Sequence, residues 1–322
     1  MKILKLLPLV LALSACQSAS VKSMQGEIAY AINDKDGTIS LIDTATDKVV
    51  GMLPASGRLG AGINAVVISR DQQYLYVVDA DDAELVKVDL QTRTVVDKLV
   101  AGDGVEGVDI SPDGKTLVLC EEEANTVSFI DVASFKITSR IKVTGEAPEH
   151  CVYSPDGKWV LASQEASDNI DVIDAINPKI LTTLPAAGHP RGMAFTPDGS
   201  KLYVANEAAH VTEVWNTFDW TLHTTIKTGE RSNGVKISSD GQRVYISGGK
   251  SYTVDVIDTD GDFVIKSIPV GERPWNMALT SDDSKLYVAN GRSNSVSVID
   301  TVKLEVIATI PVGTMPWGVY IP

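Results

Sequence analysis

The chain has 322 residues, 44% of them hydrophobic, with 28 Lys and Arg against 42 Asp and Glu. That length buries a sizeable core without help from disulfides or metals. A formal charge of −14 argues against nucleic acid as a partner, because phosphate binding needs Lys and Arg gathered on one face.

The first element is a targeting segment. Met1-Lys2-Ile3-Leu4-Lys5 is a short basic start, and Leu6 to Leu13 is an apolar run interrupted only by Pro8. The run is too short to span a bilayer and suits the core of a signal peptide, predicted over residues 1–15. Leu13-Ser14-Ala15-Cys16 resembles the lipobox of bacterial lipoproteins. That resemblance implies lipidation of Cys16, a polar tether over 16–27 and residence in the periplasm. Gln17 after the cysteine implies anchoring to the outer membrane. An ordinary secretory signal with an incidental cysteine is the competing reading. Without Lys2 and Lys5, the processed chain has 26 basic against 42 acidic residues, a balance of −16.

The rest of the chain is periodic. Ala65, Gly107, His150, Gly192, Gly234, Asn276 and Gly318 form one column, spaced 42, 43, 42, 42, 42 and 42 residues apart. A second column ends each V-x-V-I-D run: Asp43, Asp89, Asp131, Asp174, Asn216, Asp258 and Asp300. Each repeat reads as four short strands; in the fifth they are Gly192–Thr196, Leu202–Asn206, Val211–Trp215 and Leu222–Lys227. These runs are rich in β-branched and aromatic residues and are separated by polar turns such as Pro197-Asp198-Gly199. Four strands per repeat of this length is the pattern of a propeller blade. The expected fold is all-β: a seven-bladed β-propeller of four-stranded antiparallel blades, one domain over 28–322. Seven repeats counted from Ile28 reach the last residue, so Trp317–Ile321 is expected to supply the innermost strand of blade 1. Both chain ends then share one blade and no open edge remains.

Leu202-Tyr203-Val204-Ala205-Asn206, Leu286-Tyr287-Val288-Ala289-Asn290, Ser297-Val298-Ile299-Asp300 and Ile310-Pro311-Val312-Gly313 resemble the YVTN β-propeller repeat. The resemblance covers essentially all of the processed chain. Similar propellers include periplasmic accessory proteins of quinone-cofactor-dependent alcohol catabolism, surface-layer repeats, lactonases and the haem-bearing domain of a nitrite reductase.

The repeated Asp column and the Pro-Asp-Gly turns read as turn chemistry, because functional residues rarely recur identically in every blade. Departures from the repeat are more informative. The residues before the glycine column, which enter the innermost strands around the channel, are Asn64, Glu106, Glu149, Arg191, Asn233, Trp275 and Trp317. His189, Arg231 and Arg273 lie close behind. The second strands end on the same face with Asn33, Asp79, Glu121, Gln164, Asn206, Gly248 and Asn290. The expected mouth is therefore divided, with Arg and Trp on blades 5, 6, 7 and 1 and carboxylates on blades 2, 3 and 4. Trp275 and Trp317 form a stacking wall, and Arg191, Arg231 and Arg273 clamp an anionic group, with Asn206 and Asn290 beside them. A plug of solvated residues is the plainer alternative. The loop Ser56–Gly62 reads either as a flap over this face or as loop variation.

There is no G-x-S-x-G, H-E-x-x-H, phosphate loop or C-x-x-C. Glu149 and His150 are the candidate ligands for a divalent metal, although strand alternation points His150 and Cys151 to opposite faces. Cys120 and Cys151 are either bridged or two buried thiols. Asp258–Asp262 loosely matches a calcium loop but lacks its distal Glu and reads as a turn, and His210 and His223 read as surface positions of blade 5. The leading reading is a lipid-anchored, monomeric binding or scaffold protein. It takes an envelope protein or a small anionic ligand, touches the membrane only through its lipid and needs no cofactor. The alternative is a lactonase-like or metal-dependent hydrolase using Glu106, Glu149 and His150.

Overall fold

The computed structural model describes residues 27–322, so the signal peptide, Cys16 and nearly all of the tether lie outside the described residues. Within that range the chain makes seven four-stranded antiparallel sheets arranged as a ring. In blade 5 the strands are Pro190–Phe195, Lys201–Asn206, Val211–Asn216 and Thr221–Lys227, each within two residues of its expected bounds. Blade 1 is completed as expected: Pro316–Tyr320 is its innermost strand, pairing antiparallel with Ile28–Asn33 so that Val319 faces Ala31. Among the described residues no helix is long and apolar enough to cross a membrane.

Strand alternation sends every second side chain into the gap on one side of its blade. Seven apolar clusters result, one between each pair of neighbouring blades. The K-L-Y-V-A-N sequence shows how one strand serves both sides. Leu202 and Val204 pack toward blade 4, and Tyr203 and Ala205 toward blade 6. Lys201 and Tyr203 then reach the outer turn of blade 6, where Lys201 Nζ lies 2.8 Å from Asp262 Oδ2 and the Tyr203 hydroxyl donates to the same carboxylate. The same clasp closes the ring. Lys285 Nζ sits 2.8 Å from Asp47 Oδ2 in blade 1, and Tyr287 donates to Asp47.

The recurring polar residues are turn chemistry. Asp89 accepts the Thr92 N–H at 2.7 Å, Asp131 that of Ser134 at 2.7 Å and Asp300 that of Lys303 at 2.8 Å. Asp258 does the same for Asp260 and Gly261.

Cys120, in the second strand of blade 3, is disulfide-bonded to Cys151 in the innermost strand of blade 4, with Cα atoms 5.8 Å apart. Of the two arrangements the sequence left open, the structure holds the bridge. Cross-linking residues 31 apart in sequence removes loop entropy from the unfolded chain worth about 4 kcal/mol. Replacing both cysteines by Ala should therefore lower the urea midpoint by the equivalent of roughly 4 kcal/mol. Dithiothreitol should produce the same loss in the native sequence and none in the double variant.

Candidate functional site

The innermost strands converge so closely that their glycine positions have no room for a side chain. A Cβ on Gly107 would lie 2.5 Å from the carbonyl oxygen of Glu149, and one on Gly192 2.5 Å from that of Asn233. The throat inside them is a cavity of about 260 Å³ whose lining includes Asn64, Glu106, Glu149, His150, Asn276 and Trp317. Blades 4 to 6 hold a separate polar pocket of about 410 Å³, lined in part by Glu165, His189, Glu207, His210, Arg231 and Lys250.

The two halves expected of the mouth interlock at the junction of blades 4 and 5. Arg191, largely buried, is ion-paired to Glu149, to Glu165 Oε2 at 2.6 Å and to Glu207 Oε2 at 2.7 Å. Glu207 Oε1 in turn accepts from Arg231 and Arg273, each at 3.1 Å. The three arginines expected to clamp a ligand are thus brought together, but around the chain's own Glu207. Burial works against charge on Glu207, yet Arg191 and then Arg273 hold its carboxylate below the usual range. Arg231 alone of the three is half exposed and turned toward the pocket.

Glu165 and Glu106 are pushed the other way. Burial first, then the hydrogen bond and charge of Glu149, raise Glu165 to about 7 against the pull of Arg191 and His189. Burial, then Glu149 and Glu122, raise Glu106 to about 8. His150 is lowered to about 4 by burial and by Arg191, so its imidazole is neutral at physiological pH.

The aromatic wall is present. Trp275 and Trp317 lie with ring centroids 4.3 Å apart and planes inclined by 35°, and the Arg273 guanidinium sits 5.6 Å from the Trp275 ring. Trp275 is buried and Trp317 is partly exposed. Two turn glycines seat this group. A Cβ on Gly291 would lie 2.0 Å from Trp275 Cζ3, and one on Gly249 3.1 Å from Arg273 Nη1.

Three expectations are corrected. Asn206 and Asn290 are fully buried and face the blade, not a ligand. Asn290 Oδ1 accepts the Gly271 N–H at 3.1 Å and its Nδ2 donates to Ser297 at 2.9 Å, while Asn206 Nδ2 donates to Val204 O and Glu213. Asp79, Glu121 and Asn33 anchor the loops of their blades in the same way, by accepting from Gly62, Gly102 and Gly313. The loop Ser56–Gly62 is pinned, not a flap: Leu59 is buried in the core, and Arg58 donates to Lys35 O and Ala61 O. His210, read as an outer surface residue, stands on the mouth rim, where Nδ1 accepts the Arg231 N–H at 3.0 Å.

Of the two candidate metal ligands, Glu149 is held by Arg191, whereas His150 lines the throat with its Nδ1 3.9 Å from Glu149 Oε1. Cys151 points away into the core between blades 3 and 4. Asp79, Asp82 and Glu84 also converge, but Lys98 Nζ, 2.6 Å from Glu84 Oε2, serves as their counter-ion. Sequence reasoning missed Glu165 and Glu207. Their signal is positional, since the residue after each second strand is Glu122, Glu165 and Glu207 in blades 3 to 5 and Gly249 and Gly291 in blades 6 and 7.

Two family models match parts of the chain, a YNCE-like beta-propeller over residues 49–145 and a seven-bladed lactonase beta-propeller over 174–305. The chain is a seven-bladed propeller similar to both. Protein NirF of Pseudomonas aeruginosa is 28% identical over 145 residues, 45% of this chain and 36% of NirF. Protein NirF of Stutzerimonas stutzeri is 26% identical over 132 residues, 41% of this chain and 33% of that protein. The match spans about a third of the length of these curated relatives. Among solved structures, hydrazine synthase of Kuenenia stuttgartiensis superposes with a TM-score of 0.75 at 22% identity, over 82% of this chain and 90% of that one. A functionally unknown protein of Desulfotomaculum acetoxidans gives 0.80 at 19%, over 92% and 99%. The dihydro-heme d1 dehydrogenase NirN, in complex with DHE, gives 0.68 at 16%, over 91% and 75%. At these identities the likeness to the solved structures is one of fold.

A pH dependence follows from the raised carboxyls. Glu165 and Glu106 keep protons in the folded chain that the unfolded chain has released above about 4.5. Folding then takes up protons, and stability falls as pH climbs from about 4.5 until it levels off near 7 for Glu165 and near 8 for Glu106. His150 opposes this only at lower pH, between about 4 and its ordinary 6.5. Thermal melts should drop from pH 6.5 to 8.5, and Glu165→Gln should narrow that drop. An unchanged drop in the variant would contradict the assignment.

Proposed function

We propose that this chain is an accessory binding protein of the cell envelope whose channel mouth takes a planar, carboxylate-bearing ligand of the tetrapyrrole class. The observation that carries the reading is the stacked pair Trp275 and Trp317, joined through Arg273 and Glu207 to a polar pocket rimmed by Arg231, Lys250, His189 and His210. The partly exposed Trp317 offers a π face, and the ring stays in place because Trp275 and Arg273 back it. Arg191 is buried among its carboxylates, so ligand carboxylates fall to Arg231 and Lys250, which pair with Glu207 and Glu230 but stay at least half exposed. The partial likeness to NirF and the fold shared with NirN, a dehydrogenase named for dihydro-heme d1, support the same ligand class. The disulfide supports an oxidising compartment, in keeping with a periplasmic chain tethered to the outer membrane at Cys16.

Haemin is the probe. Titrated into the soluble chain lacking residues 1–16, it should give saturable binding with a shifted absorption band. Trp317→Ala should weaken that binding by roughly tenfold or more, the equivalent of about 1.5 kcal/mol of lost stacking, at unchanged melting temperature. Binding equal in Trp317→Ala and the parent chain would overturn the reading. A hydrolase is the second reading, favoured by the lactonase match over residues 174–305 and by the hydrogen-bonded Glu149 and Glu165 carboxyls. It requires turnover of a lactone that Glu165→Gln abolishes.

A further inference from the structure

The throat beneath the tryptophans has a chemistry of its own. Asn64 in blade 2 is buried, with 7% of its surface exposed, and its Nδ2 donates to Glu106 Oε2 in blade 3. That contact uses the amide's donor side. The carbonyl Oδ1 is left buried with no hydrogen-bond partner among the described residues. One blade further on, His150 occupies the column filled by Gly107, Gly192, Gly234 and Gly318 elsewhere. Its imidazole lines the channel, where those blades present only backbone, and its Nδ1 is buried without a hydrogen-bond partner among the described residues. Asn64, Glu106 and His150 line one cavity of about 260 Å³.

A buried amide oxygen, a carboxyl and an imidazole nitrogen, on three successive blades, call for something electropositive between them. Buried acceptors are seldom left without a donor or a cation in a folded chain. We propose that Asn64 Oδ1, Glu106 and His150 form a site for a borderline divalent metal ion, of the zinc or cobalt kind. Mixed oxygen and imidazole ligands suit such ions, whereas soft monovalent copper prefers sulfur. Cys151 offers no thiolate, because it is bridged to Cys120. Glu149 is not among the ligands, since it faces the Arg191 guanidinium. That guanidinium is itself ion-paired to Glu149, Glu165 and Glu207. With three protein ligands, a bound ion would keep further coordination positions open.

The site is independent of the tetrapyrrole reading and is tested with metal salts alone. The soluble chain is stripped with EDTA, dialysed and titrated calorimetrically with zinc chloride, and separately with cobalt chloride while the visible absorption is followed. The expected result is one ion per chain, with cobalt giving a ligand-field band. Glu106→Gln and Asn64→Ala should each weaken binding on the order of tenfold or more. Two variants guard against one that fails to fold. Asp82→Asn, in the separate acidic cluster, should leave the affinity unchanged. The proposal is overturned if no stoichiometric ion binds. It is equally overturned if binding survives both throat substitutions, or if Asp82→Asn removes it. Haemin binding without metal binding would sink this site and leave the mouth reading standing; the reverse would do the opposite.

Discussion

The structure depends on how closely the innermost strands approach one another around the axis. At Gly107, Gly192 and Gly234 an added Cβ would lie 2.5 Å from a carbonyl oxygen of the next blade. That spacing lets seven sheets close into one ring whose apolar contacts all lie between blades. It also reserves the channel for exceptions. His150 and Asn276 are the large departures from this small-residue column, and both line the throat. The constraint that builds the ring therefore also marks where the ring can carry chemistry.

Charge at the mouth is arranged to balance internally. Arg191, Arg231 and Arg273 meet on Glu207, and Arg191 also answers Glu149 and Glu165. Fixing the arginines around an internal carboxylate keeps long side chains in defined rotamers, which lowers the ordering cost of engaging a ligand at the rim. The neighbouring turns divide the work by size. Glutamates in blades 4 and 5 supply the counter-charge, and Gly249 and Gly291 in blades 6 and 7 make room for Arg273 and Trp275.

The fold was legible because each repeat restates the same local chemistry. The spacing of the glycine and aspartate columns predicts seven blades, and the shared blade of the two chain ends follows from the count alone. Trp275 and Trp317 could be placed side by side because adjacent blades carry them at one repeat position. Two kinds of information were not legible. The direction of the side chains ending the second strands depends on where the preceding loop offers its N–H groups. That is why Asn290 turned inward, whereas Asn206 turned to Val204 O and Glu213. Pairing across turns depends on reach in three dimensions, so Glu207 was invisible as the partner of arginines 16, 24 and 66 residues away. His210 was misplaced for a related reason, since its turn lies on the mouth face although its strand is peripheral in sequence order.

The central claim is that the mouth is a binding site and not a plug. Native mass spectrometry of the soluble chain, purified gently from the envelope fraction of its own cells, tests it most directly. The account predicts a retained low-molecular-mass species that absorbs as a conjugated macrocycle and is absent from the Trp317→Ala chain prepared in parallel. A chain of bare polypeptide mass from both preparations, with no species lost between them, would contradict it.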